Sequence, residues 1–259
     1  MKLAAMEEVL SKYVKHQTHP LAIKMLTRED QIPPDAKRPL KEYGAAFTLC
    51  QAIALSRKEG LTLVLDKETL SCPIALAGLG FVRPDEFLSG KYALVPTNQS
   101  EEARRRAAEA MPRFSFGEFR LIVIAPLARA VFDPDVVLFY GTGAQVMRMV
   151  QAAVFESGEA LTSRSTGSGG CLLPVVVPAL EDRCVFALPG NGERRLGLIA
   201  DGELAFAMPG KRLEEVIQGL ELSHAGRQTY PVSPGYLKMQ CEMPAPYVKL
   251  REALLDSGK

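Results

Sequence analysis

Cys50-Gln51-Ala52-Ile53-Ala54-Leu55-Ser56 is followed by the apolar run Leu61-Thr62-Leu63-Val64-Leu65, and then by Ser71-Cys72-Pro73 at the head of another apolar segment. A similar series returns as Val150-Gln151-Ala152-Ala153-Val154-Phe155-Glu156, Ala160-Leu161-Thr162-Ser163 and Gly169-Gly170-Cys171. Gln51 and Gln151 align at an offset of 100, and one deletion brings Cys72 onto Cys171. The pattern reads as a duplicated unit of helix, strand, cysteine and helix. The expected fold is α/β or α+β, a single compact domain over residues 1–259 built from two pseudo-symmetric helix-strand-helix halves, 17–97 and 118–222, with an irregular C-terminal strap over 223–259.

The rest of the chain fits around these pieces. Leu3, Met6, Val9, Leu10 and Tyr13 share one helical stripe. Residues 21–26 are a short apolar run behind His19-Pro20 and predict a strand, with Lys24 its one charge. Pro33, Pro34 and Pro39 mark a loop. A helix is expected over 43–58, ended by Gly60, and a strand over 61–65. Ser71-Cys72-Pro73 has the composition of a helix start, because proline is tolerated in the first turn. Further strands are expected at 92–95, 119–126, 136–140, 160–165, 184–188 and 203–208, and helices at 98–111, 144–156, 171–180 and 211–222. Gly141-Thr142-Gly143 joins a strand to a helix but lacks the dinucleotide fingerprint and a Walker lysine.

Hydrophobic residues make up 47% of the 259, enough for a substantial core. Lys+Arg number 31 against 30 Asp+Glu, so no net field favours nucleic acid or an anionic membrane as partner. Arg104-Arg105-Arg106 spreads around a helix and reads as a solvated face. The N-terminal residues lack a basic segment followed by a long apolar one, and the longest apolar run is too short to span a bilayer, so a cytoplasmic location is expected.

In that compartment the five cysteines, Cys50, Cys72, Cys171, Cys184 and Cys241, are thiols or ligands rather than a disulfide framework. A thiol at a helix start gains from the free backbone N–H groups there and can ionise well below about 8.5, and thiolates are what thiophilic metals and iron–sulfur clusters require. No Cys-x-x-Cys occurs, and cysteine is also a common small core residue. Cys184 and Cys241 read as core. His19 lies near the first strand and could reach a site; no Ser-His-Asp set can be inferred. Lys24 is either an edge-strand charge or a buried amine. Arg194 and Arg195, after Gly190-Asn191-Gly192, offer a clamp for a carboxylate or phosphate, or else form a solvated turn.

The series Leu-Ala-Ile-Lys-Met-Leu, Leu-Cys-Gln-Ala, Leu-Ser-Cys-Pro, Pro-Asp-Val-Val-Leu, Gln-Val-Met-Arg-Met-Val-Gln-Ala and Gly-Asn-Gly-Glu-Arg-Arg resembles the prokaryotic family called domain of unknown function 169, or ArCR. The likeness runs from about residue 17 to 222. It supplies no reaction. It implies that Cys50, Cys72 and Cys171 belong to the family's motifs and that Cys184 and Cys241 lie outside them. The function expected is therefore iron–sulfur or other thiophilic metal binding through Cys50, Cys72 and Cys171, with an anionic small molecule near Arg194, Arg195 and Lys24. The alternatives are a metal-free binding or regulatory protein with structural cysteines, and thiol–disulfide chemistry between Cys72 and Cys171.

Overall fold

The computed structural model describes residues 2–92, 99–232 and 243–257. In chain order they form α1 (Leu3–Val14), β1 (Leu21–Leu26), α2 (Pro39–Tyr43), α3 (Leu49–Glu59), β2 (Leu63–Leu65), α4 (Pro73–Gly78), α5 (Asp85–Leu88) and α6 (Glu101–Ala110). Then follow β3 (Leu121–Pro126), β4 (Val136–Thr142), α7 (Gly143–Ala153), α8 (Leu173–Glu181), β5 (Val185–Ala187), α9 (Asn191–Gly197), β6 (Glu203–Pro209), α10 (Leu213–Ala225) and α11 (Ala245–Asp256).

The strands make one six-stranded sheet in the order β2-β3-β1-β4-β6-β5, and every neighbouring pair is antiparallel. The class is therefore α+β. Because helices cover both faces, the strands read as almost unbroken apolar runs, and alternation assigns each residue to a side. Leu21, Ile23, Leu138, Tyr140, Ala205 and Ala207 face a core shared with α3, α4 and α8. Ala22, Val137, Phe139, Phe206 and Met208 face a second core under α1, α7 and α10. Among the described residues no helix is long and apolar enough to cross a membrane.

Several local expectations change. Residues 160–165 form no strand, so the second half does not repeat helix, strand, helix. Gln51 opens α3, where it and Thr48 exchange capping bonds, whereas Gln151 lies near the end of α7. By role, the partner of the Thr48–Gln51 cap is the Thr142–Gln145 cap, with Thr142 N donating to Gln145 Oε1 at 2.8 Å. These two caps lie 94 residues apart, so the offset of 100 does not align the helix starts.

β1 is an interior strand, which removes the edge reading of Lys24. Pro39 sits at the start of α2 instead of breaking it, and the C-terminal segment holds the helix α11, with Pro246 in its first turn, where an irregular strap was expected. The turn expected at 189–192 runs into the helix α9. The strand expected at 92–95 lies largely outside the described residues, and Cys241 lies wholly outside them.

Candidate functional site

Three cysteines reach one place from three helix starts. Cys50 is the second residue of α3, Cys72 is the N-cap of α4, and Cys171 lies two residues ahead of α8. Cys50 and Cys171 are buried at 8% and 5% exposure, whereas Cys72 is half-buried. The Cys171 thiol lies beside that of Cys50, the neighbour that shifts it most, and also feels Glu193 and Cys72. Cys72 in turn feels Cys50.

Glycines allow this approach. A methyl added at Gly78, in α4, would lie 2.3 Å from Cδ1 of Leu172, the neighbour of Cys171. One at Gly170 would lie 2.5 Å from Glu193 Oε2, and one at Gly197 would lie 3.3 Å from the Cys50 Cβ. Each value is below ordinary carbon contact, so the packing depends on the missing side chain.

A carboxylate and a phenol complete the group. Glu193, in the first turn of α9, accepts from Gly190 N at 2.7 Å through Oε2 and from the Tyr140 hydroxyl at 3.0 Å through Oε1. Tyr140 projects from β4, and its ring carries the Arg57 guanidinium at 4.7 Å from the centroid. Arg57 is 1% exposed and pairs in a bidentate manner with Glu203, both contacts at 2.9 Å. A continuous polar line thus runs from Glu203 through Arg57 and Tyr140 to Glu193 and the thiols.

Burial controls protonation here. It pushes Glu193 above the usual carboxylate range, against the donors at Gly190 and Tyr140 and the cations Arg194 and Arg57. The neighbouring thiol of Cys50, then burial, holds Cys171 well above the thiol range. Burial likewise holds Tyr140 well above its usual value, followed by the charge of Glu193 and the two thiols beside it. Cys72 corrects the expected helix-start effect: burial raises it, and the N–H groups of Ala75 and Ile74 offset this only in part. Cys72 and Cys171 therefore rest as neutral thiols. Among the described residues, no group of three or more His, Cys, Asp or Glu side chains stands in position to hold a metal ion.

The other expected residues lie elsewhere. Lys24 alternates with Ile23 and Met25, so it points from the sheet face opposite the cysteines, and its Nζ pairs with Asp135 at 2.7 Å. Arg194 pairs with Asp201 at 3.1 Å and donates to the Ala200 carbonyl at 3.0 Å; Arg195 is exposed. The expected meeting of Lys24 with the two arginines does not occur, because they occupy opposite sides of the sheet. His19 pairs with Glu7 of α1. Arg105 and Arg106 pair with Glu102 on their own helix, as a solvated face predicts. Cys184 belongs to the second core. Sequence reasoning missed Glu193, although a glutamate three residues after Gly190 has the spacing of a helix-start cap. Arg57 and Tyr140 carried no such signal.

The chain is similar to the uncharacterised protein MJ0308 of Methanocaldococcus jannaschii, 25% identical over 205 residues that cover 78% of this chain and 86% of that protein. No solved structure matches it. The model of the DUF169 family, described as uncharacterised ArCR, matches residues 9–219, a span that contains Cys50, Cys72, Cys171, Tyr140 and Glu193. The chain therefore belongs to the DUF169 (ArCR) family.

Proposed function

We propose that this protein binds a thiophilic metal centre, an iron–sulfur cluster as the leading case, through Cys50, Cys72 and Cys171, with Glu193 as the neighbouring oxygen donor. The observation that carries the reading is the convergence of these cysteines and one buried carboxylate from four separate elements. Soft thiolates suit iron–sulfur clusters, zinc or copper(I), and a cluster takes its cysteines from distant parts of a chain. Loading requires Cys72 and Cys171 to lose protons that burial favours; the cation's charge supplies that driving force, and the donors must turn toward it from their present arrangement. The starts of α3 and α4 present backbone N–H groups that offset the resulting negative charge. Three protein sulfurs leave one metal position for a substrate or for Glu193. A cytoplasmic location suits such thiols.

Anaerobic reconstitution with iron and sulfide is expected to give brown protein with both elements bound in stoichiometric amount. A colourless product that retains neither iron and sulfide nor zinc nor copper(I) contradicts the reading.

The contact between Cys50 and Cys171 favours a second reading, a reversible disulfide. Cys50, which acts on the Cys171 thiol more strongly than Cys72 does, replaces Cys72 as the partner in this reading. Counting thiols after mild oxidation decides it: a loss of two, mapped to this pair, supports it, and an unchanged count rejects it.

A further inference from the structure

A cavity of about 380 Å³ lies between α4 and α6, at the lower end of the size range of small-molecule sites. Pro73, Ile74 and Ala77 of α4 form one wall, and Ala108 and Met111 form the other. Two of its lining residues are close in the chain to cysteines of the cluster. Pro73 directly follows Cys72, the half-buried cysteine of the three, and Ser168, also in the lining, lies three residues before Cys171.

The walls are apolar, and the charged groups around them do not cancel. Arg83, Arg104 and Glu86 line the cavity. Arg83 sits over the Phe116 ring at 4.8 Å from its centroid. Arg104 is anchored by its Nε on the Gly90 carbonyl at 2.7 Å, and among the described residues its terminal nitrogens have no acceptor. Its neighbours Arg105 and Arg106 are paired with Glu102, whereas among the described residues Arg104 has no carboxylate partner. A guanidinium held at one nitrogen and open at the others suits the planar fork of a carboxylate.

We infer that this cavity binds a small carboxylate with an apolar body, its carboxylate on Arg104 and its body along the first turn of α4 beside Cys72. Occupancy covers the approach to the half-buried thiol. The inference rests on the proposed metal site only for what the ligand would meet there. The anion expected near Arg194 and Lys24 is thereby moved to a different arginine.

The test titrates the full chain with decanoate, and with decylamine as the probe of equal length and opposite charge, by calorimetry. Decanoate is expected to bind saturably and decylamine at least about tenfold more weakly, the size of one charge-assisted contact. Arg104→Gln is expected to cost decanoate about tenfold, Arg104→Lys less, with thermal melts checking that both variants fold. In the wild type, decanoate is expected to slow iodoacetamide alkylation of Cys72. Equal binding of the two probes, binding of neither, or unchanged affinity in a folded Arg104→Gln variant overturns the carboxylate site. Unchanged alkylation overturns its link to Cys72. Metal content is read separately, so decanoate binding in a protein that takes no metal removes the metal reading alone, and the reverse result removes this one.

Discussion

The Tyr140 hydroxyl donates to Glu193 Oε1 at 3.0 Å beside the neighbouring thiols of Cys50 and Cys171, and this bond ties the central strand β4 to the first turn of α9. Tyr140→Phe removes one of two donors to a buried carboxylate. We expect a loss of about 1–3 kcal/mol in denaturant unfolding at neutral pH, the cost of leaving a buried acceptor short. The loss should shrink in acid, where Glu193 is protonated in both variants.

Glu193 also sets a pH dependence whose sign follows from burial. Its folded pKa is raised, so its favourable contribution is complete below the ordinary glutamate range and is lost as pH rises through the folded value. Glu193→Gln should flatten the stability profile above that range. Asp66 works in the opposite sense: burial raises it, but the Thr69 donors and Arg38 lower it further, so its contribution is present above the ordinary aspartate range and lost as pH falls. Asp66→Asn should flatten the acid limb and leave the neutral region of the profile unaltered in slope.

Among the described residues Arg57 is held by Glu203 alone among carboxylates in direct contact, and its Nε has no partner. Glu203→Gln leaves a buried guanidinium without a counter-charge, and unfolding is expected to cost about 3–5 kcal/mol less than in the wild type. Arg57→Met, which removes the charge and fills the space, should lose less.

How far this was legible beforehand depended on where the information lies. The helix start at Cys72 and most of the apolar strands announce themselves locally, by a proline in the first turn and by hydrophobic runs, whereas the start of α3 at Thr48 lies inside the helix expected over 43–58. The meeting of Cys72 with Cys171 was expected from a repeat whose strand at 160–165 does not form, and Cys50 was placed inside a longer helix, yet helix starts supply all three positions. Lys24 and Arg194 could not be separated from sequence, because which face of a strand turns toward which helix is decided by the whole sheet. Glu193 was passed over for the two arginines after it, since in a glycine-rich segment a cap and a solvated turn look alike. The raised Cys72 thiol shows burial outweighing a short helix's N–H groups, and burial is a tertiary quantity.

The glycines that seat the cluster give a graded packing test. Gly78→Ala and Gly170→Ala place a methyl 2.3 Å from Leu172 Cδ1 and 2.5 Å from Glu193 Oε2. Each is expected to destabilise by about 1–3 kcal/mol, the usual range for overpacking. Gly167→Ala meets no atom within 4 Å and should be close to neutral. Thermal unfolding of the three variants orders them.

The most direct measurement is the metal and sulfide content of anaerobically reconstituted wild-type protein beside Cys50→Ser, Cys72→Ser, Cys171→Ser and Cys184→Ser. The account predicts a stoichiometric centre in the wild type and in Cys184→Ser, and a large loss in each of the other three variants. Metal retained at the wild-type level in all three, or no metal in any of the five proteins, would contradict it.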